Sequence, residues 1–288
     1  MEASSFALLG ASTFIVEHMK GDQLRALAAD PRFISGIYNY CDRWCERCTL
    51  SDRCLTYAME RSEDDPDQWG RARDLSNEKF WDNLHRQLQA TIETVRADAK
   101  ARGIDLDEPK LQAKVIAQER AERRRTAKNL PLARAAMAYA NAVNKWFENA
   151  SPVFRSKGFE LQTLARLETG NPEAEAADLA EFVEVIRWYQ HFIYVKLSRA
   201  IGSRANEELE TDEEMKTFPK DSDGSGKIAL ITMDRSIAAW SGLRLALSGA
   251  DDDEILDLLA QLVAIRRETE KLFPEARAFV RPGFDEQR

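Results

Sequence analysis

"EAADLAEFVEVIRWYQHFIYVKLSRAI", residues 175–201, is the most apolar long stretch of this chain. Apolar side chains fall on most faces of a helix built on this stretch. That pattern is typical of a helix enclosed by other helices. We therefore predict a central helix over residues 173–202, with further helices packed around it.

Amphipathic patterns on both sides of this stretch predict those further helices. In residues 77–102 apolar side chains recur at spacings of four and three, as expected for a helix with one buried face: Phe80, Leu84, Leu88, Ile92 and Val95. A second long pattern runs from about residue 109 to residue 149, where Pro131 should kink or split the helix. Three more helices are predicted, over residues 152–168, 228–248 and 252–272.

These patterns predict an all-α fold, a multi-helix bundle of five to six long helices with a short cysteine-rich metal-binding segment near the N-terminus. The composition agrees, because the 288 residues include only 13 Gly and 9 Pro. The only candidate strand, "KIALITM" at 227–233, continues smoothly into a helical pattern. Residues 1–76 are assigned to an N-terminal region and residues 77–288 to the helical bundle, and we expect the two to form one continuous domain.

Residues 203–227 are polar and acidic, and we predict a loop there. The loop ends in "DSDGSGK", residues 221–227, which resembles fragments of two ligand-binding motifs. A calcium loop would need a Glu where Thr232 stands, and a phosphate loop would need Gly-x4-Gly-Lys-Ser/Thr after a strand. We therefore interpret this stretch as a flexible turn.

All four cysteines of the chain lie within 14 residues, in "YCDRWCERCTLSDRC" at 40–54. Their spacing is Cys-x3-Cys-x2-Cys-x5-Cys: Cys41, Cys45, Cys48 and Cys54. A free cysteine often acts as a small hydrophobic residue, but chance would rarely place all four together. We find no signal peptide or membrane span, so we expect a cytoplasmic protein with reduced thiols. A metal or redox site is therefore a better interpretation than disulfides.

Two kinds of metal centre fit these cysteines. Four thiolates are the usual ligands of an iron–sulfur cluster, and spacings of two, three and five residues favour the 4Fe–4S type. Arg43, Arg47 and Arg53 could offset the negative charge of such a cluster. Structural zinc is the alternative, since four cysteines make a closed tetrahedral site. Zinc sites usually pair two Cys-x2-Cys units, however, and only Cys45 and Cys48 form one here.

A second metal centre is an alternative that we keep open. Histidines and carboxylates share helix faces in two places, as they do in bundles that hold two metal ions: His85, Glu181, Glu184 and His191. The Glu-x2-His signature of those bundles is absent. With 49 acidic residues such spacings arise freely, so solvated helix faces are the favoured interpretation. A buried carboxylate here could also pair with Arg187 or Lys196.

We predict a metal-binding helical protein that carries one iron–sulfur cluster for electron transfer or redox sensing. The alternatives are a structural zinc site in an interaction protein and a helical-bundle metalloenzyme. A redox partner protein is expected, and whether the chain is an enzyme stays open. The net charge of −8 argues against a nucleic-acid binder. The basic run "QERAERRRTAK", 118–128, is interpreted as a solvated helix face.

Overall fold

The described part of the chain is helical. The computed structural model describes residues 29–62, 78–103, 129–210, 213–247 and 252–285, with isolated positions at 26–27 and within 118–126. Within these ranges there are helices and turns and no strand, which confirms the predicted all-α bundle. No helix in these ranges is long and apolar enough to cross a membrane. The described ranges contain seven α-helices of eight residues or more: α1 (Leu55–Ser62), α2 (Glu78–Ala101), α3 (Pro131–Asn149), α4 (Ser151–Arg166), α5 (Pro172–Glu207), α6 (Asp221–Ala246) and α7 (Asp252–Leu272).

Contacts along the chain divide it into two compact units. The first comprises Met1–Phe33 and Leu55–Glu108 and carries α1 and α2. The second comprises Ile34–Cys54 and Pro109–Arg288, and it carries α3 to α7 and all four cysteines. The boundary predicted at residue 76 lies outside the described residues, so that assignment stays a prediction.

Helix α2 corresponds to the amphipathic helix predicted over residues 77–102. Three side chains of its apolar stripe are about half exposed: Leu88 (54%), Ile92 (50%) and Val95 (53%). The side chains of Phe80 and Leu84 lie outside the described residues. The periodicity therefore located the helix, while these three positions of its stripe face solvent.

Four helices of the second unit form the bundle. Helix α5 packs against α3, α4 and α6, and α7 packs against α3 and α6, so that α3, α5, α6 and α7 surround one core. With 36 residues, α5 is about 54 Å long and central, as its apolar sequence indicates. Inside the core, the indole nitrogen of Trp240 on α6 donates a hydrogen bond to the Tyr139 hydroxyl on α3 (2.9 Å).

Local capping chemistry explains where two of these helices begin. The side chain of Asn171 accepts a hydrogen bond from the backbone N–H of Ala174 (3.2 Å), and Pro172 opens α5 behind this cap. Pro131 likewise opens α3, after Leu130 in an extended conformation. Proline has no N–H to donate and its fixed φ suits the first helical position, so Pro131 starts a helix instead of kinking a longer one.

The prediction of a loop over residues 203–227 is wrong at both of its ends. Helix α5 continues to Glu207 and α6 begins at Asp221, so "DSDGSGK" forms the first two turns of a helix. Glycine and serine have low helix propensity, but here a tertiary cap compensates. The carboxylate of Glu207 accepts hydrogen bonds from the backbone N–H (2.9 Å) and the hydroxyl (2.5 Å) of Ser222.

Close contacts with two aromatic rings explain why position 224, near the start of this helix, is a glycine. A Cβ atom at position 224 would lie 2.3 Å from the ring of Tyr40 and 2.8 Å from the ring of Phe279. Neither distance is compatible with a side chain. The absence of a side chain on α6 therefore lets Tyr40, next to the first cysteine, lie directly against the helix.

We expect Gly224→Ala to lower the free energy of unfolding by about 1–3 kcal/mol, the usual cost of overpacking. The measurement is urea unfolding followed by circular dichroism. Gly202→Ala on α5 is the control, because nothing lies within 4 Å of its Cβ position. That variant should gain up to about 1 kcal/mol from helix propensity. A gain in both variants would show that Tyr40 does not pack on α6 in this way.

Candidate functional site

The four cysteines lie in a tightly turned segment, residues 34–54, which we call the cysteine segment. Its backbone forms three short 3-10 turns: Ile37–Asn39, Cys45–Arg47 and Ser51–Arg53. Arg43 adopts a positive φ of 59°, which is uncommon for a residue other than glycine. The backbone N–H of Ile34 donates to the carbonyl of Arg53 (3.0 Å), so the two ends of the segment are joined.

Asp42 fastens the cysteine segment to two helices at once. Its carboxylate accepts hydrogen bonds from the Tyr189 hydroxyl on α5 (2.8 Å) and from the Arg235 guanidinium on α6. Its carbonyl accepts a third from the indole nitrogen of Trp188 (3.1 Å). Burial raises the pKa of Tyr189, and the adjacent Asp42 carboxylate raises it further. Tyr189 is therefore a neutral hydrogen-bond donor at physiological pH.

Trp44 provides the apolar contact of the segment. Its buried ring stacks on Trp188 with the centroids 4.9 Å apart and the planes 17° apart. The guanidinium of Arg47 lies over the Trp44 ring, 3.9 Å from its centroid. Arg47 also forms ion pairs with Glu181 and Glu184 on α5, and its hydrogen bond holds the pKa of Glu181 below the usual value.

Asp221, the first residue of α6, forms the second polar anchor. Its carboxylate accepts hydrogen bonds from the Tyr40 hydroxyl (3.0 Å), the Ser203 hydroxyl (2.6 Å) and the Arg199 guanidinium (2.5 Å). Burial alone would raise the pKa of Asp221. The hydrogen bonds from Arg199 and Ser203 outweigh that effect and hold the pKa below its usual value.

Lys196 places a buried positive charge beside the first cysteine. Its side chain is 6% exposed, and its ammonium donates to the carbonyl of Asn39 (3.0 Å). Burial, together with the charge of Arg199, lowers the pKa of Lys196 to about 8. Burial raises the pKa of the Cys41 thiol, while the charges of Arg43 and Lys196 act in the opposite direction.

None of the four cysteines forms a disulfide, and the side chain of each is partly exposed. Cys41 donates to the carbonyl of Tyr38 (3.6 Å), and Cys48 accepts from the backbone N–H of Leu50 (3.4 Å). Unpaired cysteines are usually among the most buried residues, so these four do not behave as core residues. Among the residues described here, no three His, Cys, Asp or Glu side chains are arranged to hold a metal ion.

The residues predicted as ligands of a second metal centre lie in separate places or have other partners. Glu181 and Glu184 share the guanidinium of Arg47, where the sequence had suggested Arg187 or Lys196 as a partner. His191 is exposed, with its Nε2 atom 3.4 Å from the side-chain amide of Asn144. His85 is exposed on α2, in the other unit. Much of the basic run at 118–128 lies outside the described residues.

Sequence reasoning did not assign an anchoring role to Asp42, Arg199 or Asp221, and it considered Lys196 only as a partner for a carboxylate of α5. One signal was available, because Lys196 and Arg199 are charged residues within the most apolar helix and must find partners there. No family model, curated protein or solved structure matches this chain. Its function must therefore be inferred from its own residues.

We expect Asp221→Asn to lower the free energy of unfolding at pH 7 by about 2 kcal/mol, because it weakens charge-assisted hydrogen bonds. The pKa of Asp221 is lowered in the folded state, so the unfolded state binds more protons near pH 4. The stabilisation is therefore present above the usual carboxyl pKa of about 4 and is lost as the pH falls further.

The measurement is urea unfolding of wild type and variant from pH 7 to pH 3. The difference between them should shrink at the acid end. Asp257→Asn, an exposed change on α7, is the matched control and should leave stability nearly unchanged. A difference between wild type and Asp221→Asn that stays constant with pH would show that the Asp221 charge is not the anchor.

Proposed function

We propose that this chain is a metal-binding helical protein whose Cys41, Cys45, Cys48 and Cys54 hold one iron–sulfur cluster, of the 4Fe–4S type, for electron transfer or redox sensing. The observation that carries the proposal is that the residues which anchor the cysteine segment are different from the four cysteines. Tyr40, Asp42 and Trp44 fasten it to the bundle. The four thiols form no disulfide and are partly exposed.

The donor set fits such a cluster in number and chemistry. Four thiolates from one chain are its usual ligands. The proposal requires the thiols to move together within residues 41–54, since no three of them are now arranged around one metal ion. The cysteines lie in and between single 3-10 turns of three residues, whose hydrogen-bond geometry is poorer than that of an α-helix, so the rearrangement would not require an α-helix to unfold.

Charge near the cysteines also supports the proposal. A cluster with four thiolate ligands carries net negative charge, and Arg43 and Lys196 already act on the Cys41 thiol. Net charge, hydrogen bonding and solvent exposure are the means by which a protein sets the potential of a bound cluster. The bound cluster would supply one-electron chemistry. Four protein ligands leave no iron open to substrate, which favours electron transfer to a partner protein or sensing in a reducing cytoplasm.

Structural zinc is the second candidate. Cys45 and Cys48 flank a single 3-10 turn, in which the Cys48 N–H donates to the Cys45 carbonyl (3.2 Å). A Cys-x2-Cys turn of this kind is the half-site of many zinc modules, and four cysteines would complete a closed tetrahedral site. In this role the metal would stiffen the cysteine segment as part of a surface for protein partners.

Protein purified without oxygen should be brown and contain about four iron and four acid-labile sulfide per chain. The measurement is an absorption spectrum with iron, sulfide and zinc counted on the same sample. Colourless protein with about one zinc per chain would replace the cluster with the second candidate. Protein without bound metal, whether isolated directly or after reconstitution with iron and sulfide or with zinc, would contradict both.

Cys45→Ser should abolish metal loading. Ser51→Ala, a change of similar size in the same segment, should leave it intact. Replacing all four cysteines by serine tests the second predicted centre. Metal that survives this replacement would point to His85, Glu181, Glu184 and His191 as ligands.

If the cluster is present, Lys196→Gln should make its reduction potential more negative by roughly 40 mV. That value corresponds to about 1 kcal/mol of lost Coulomb attraction for the added electron. A redox titration monitored by absorbance measures the shift. Lys271→Gln, an exposed change on α7, should leave the potential unaltered. Equal potentials in wild type and both variants would show that the charge of Lys196 does not act on the cluster.

A further inference from the structure

A groove formed by α3, α4 and α5 is a second candidate site, independent of the cysteine segment and of the proposed metal. We propose that it binds a small amphipathic anion, a carboxylate carried on an aromatic or acyl group. Its cavity volume is about 490 Å³, within the range of about 300–1,000 Å³ found for small-molecule sites. None of its lining residues takes part in the anchoring contacts of the cysteine segment.

The floor of the groove is apolar and partly aromatic. Phe147 at the end of α3 and Phe154 on α4 line it, together with Leu179 and Val183 on α5. Both phenylalanines also pack edge-on against the buried ring of Trp146, with centroids 4.9 and 6.0 Å away. The floor is thus held by the bundle core, so it provides a preformed surface for an aromatic ring or a short acyl chain.

Two arginines supply the polar part of the groove, Arg155 from α4 and Arg187 from α5. The guanidinium of Arg187 lies 4.0 Å from the centroid of the Phe147 ring, and its Nη1 atom is 3.5 Å from the side-chain oxygen of Asn144. Stacking on an aromatic ring fixes the plane of the guanidinium while leaving its donor edges available. Arg187 is therefore oriented before any ligand arrives.

The surroundings of these two arginines differ from those of three other arginines of the bundle, which have an acidic partner. Arg199, Arg235 and Arg277 each form an ion pair with an aspartate. Within the part of the chain that the structure describes, neither Arg155 nor Arg187 has a carboxylate partner, although acidic residues outnumber basic ones by 49 to 41. The two exposed guanidinium groups beside the apolar floor can therefore pair with the carboxylate of a ligand.

The chemistry of the site follows from this combination. An arginine fork matches the geometry of a carboxylate and can form two parallel charge-assisted hydrogen bonds with it. The apolar floor requires that the carboxylate be attached to a hydrophobic group, because a small hydrated anion would leave the aromatic surface unused. Binding should need both parts of the ligand, and salt should weaken it.

The test uses 4-phenylbutyrate as the probe and its uncharged amide as the matched control ligand, titrated into the full chain by calorimetry. We expect saturable binding of one carboxylate per chain, weakened by salt, with the amide binding at least tenfold more weakly. Inorganic phosphate alone should bind at least tenfold more weakly too, because it lacks the apolar part.

Arg187→Gln and Arg155→Gln should each weaken 4-phenylbutyrate binding about tenfold or more. Both side chains are exposed, so the variants should keep their fold. Arg166→Gln removes another exposed arginine from α4 without touching the groove, and it should bind like wild type. The proposal would be overturned if 4-phenylbutyrate and its amide bound equally well, or if no saturable binding were found. It would also be overturned if Arg166→Gln lost as much affinity for 4-phenylbutyrate as the two groove variants.

Discussion

Two partly buried carboxylates, Asp42 and Asp221, determine where the cysteines lie. Asp42 belongs to the cysteine segment and reaches Tyr189 and Arg235 on the bundle. Asp221 belongs to the bundle and receives Tyr40 from the cysteine segment. In each case an arginine offsets the cost of taking the carboxylate out of water. Removing either partner would leave the other charge without its hydrogen bonds in a partly buried position, although solvent at these half-exposed arginines reduces the cost.

The rest of the segment depends on this polar frame. Trp44 stacks on Trp188 next to the Asp42 contacts, and Arg47 lies over the Trp44 ring while it pairs with two glutamates of α5. The frame thus involves aromatic, acidic and basic residues, whereas the four thiols remain partly exposed. A segment needed only for packing would gain more free energy by burying small apolar side chains. This contrast is the physical basis of the proposal that the thiols are ligands.

The sequence predicted the parts of the fold that depend on local pattern. The apolar run in α5 and the periodic helices around it were predictable because burial of a helix face leaves a 3.6-residue signature. The start of α6 was not predictable, because "DSDGSGK" has low helix propensity. Its helix depends on two distant residues, Glu207, which caps it, and Tyr40, which occupies the space at Gly224. The cysteines were visible as a cluster, but their anchors lie far away in sequence. No local pattern could pair them.

That distance along the chain has a consequence for biosynthesis. Tyr40 and Asp221 are 181 residues apart, and Asp42 and Tyr189 are 147 apart. At a translation rate of about 5–20 residues per second, the cysteine segment waits roughly ten to forty seconds for its partner residues to be made. During that interval its thiols are not yet held against the bundle. The order of synthesis therefore leaves the segment undocked for that time, and the proposed cofactor would have this interval in which to bind.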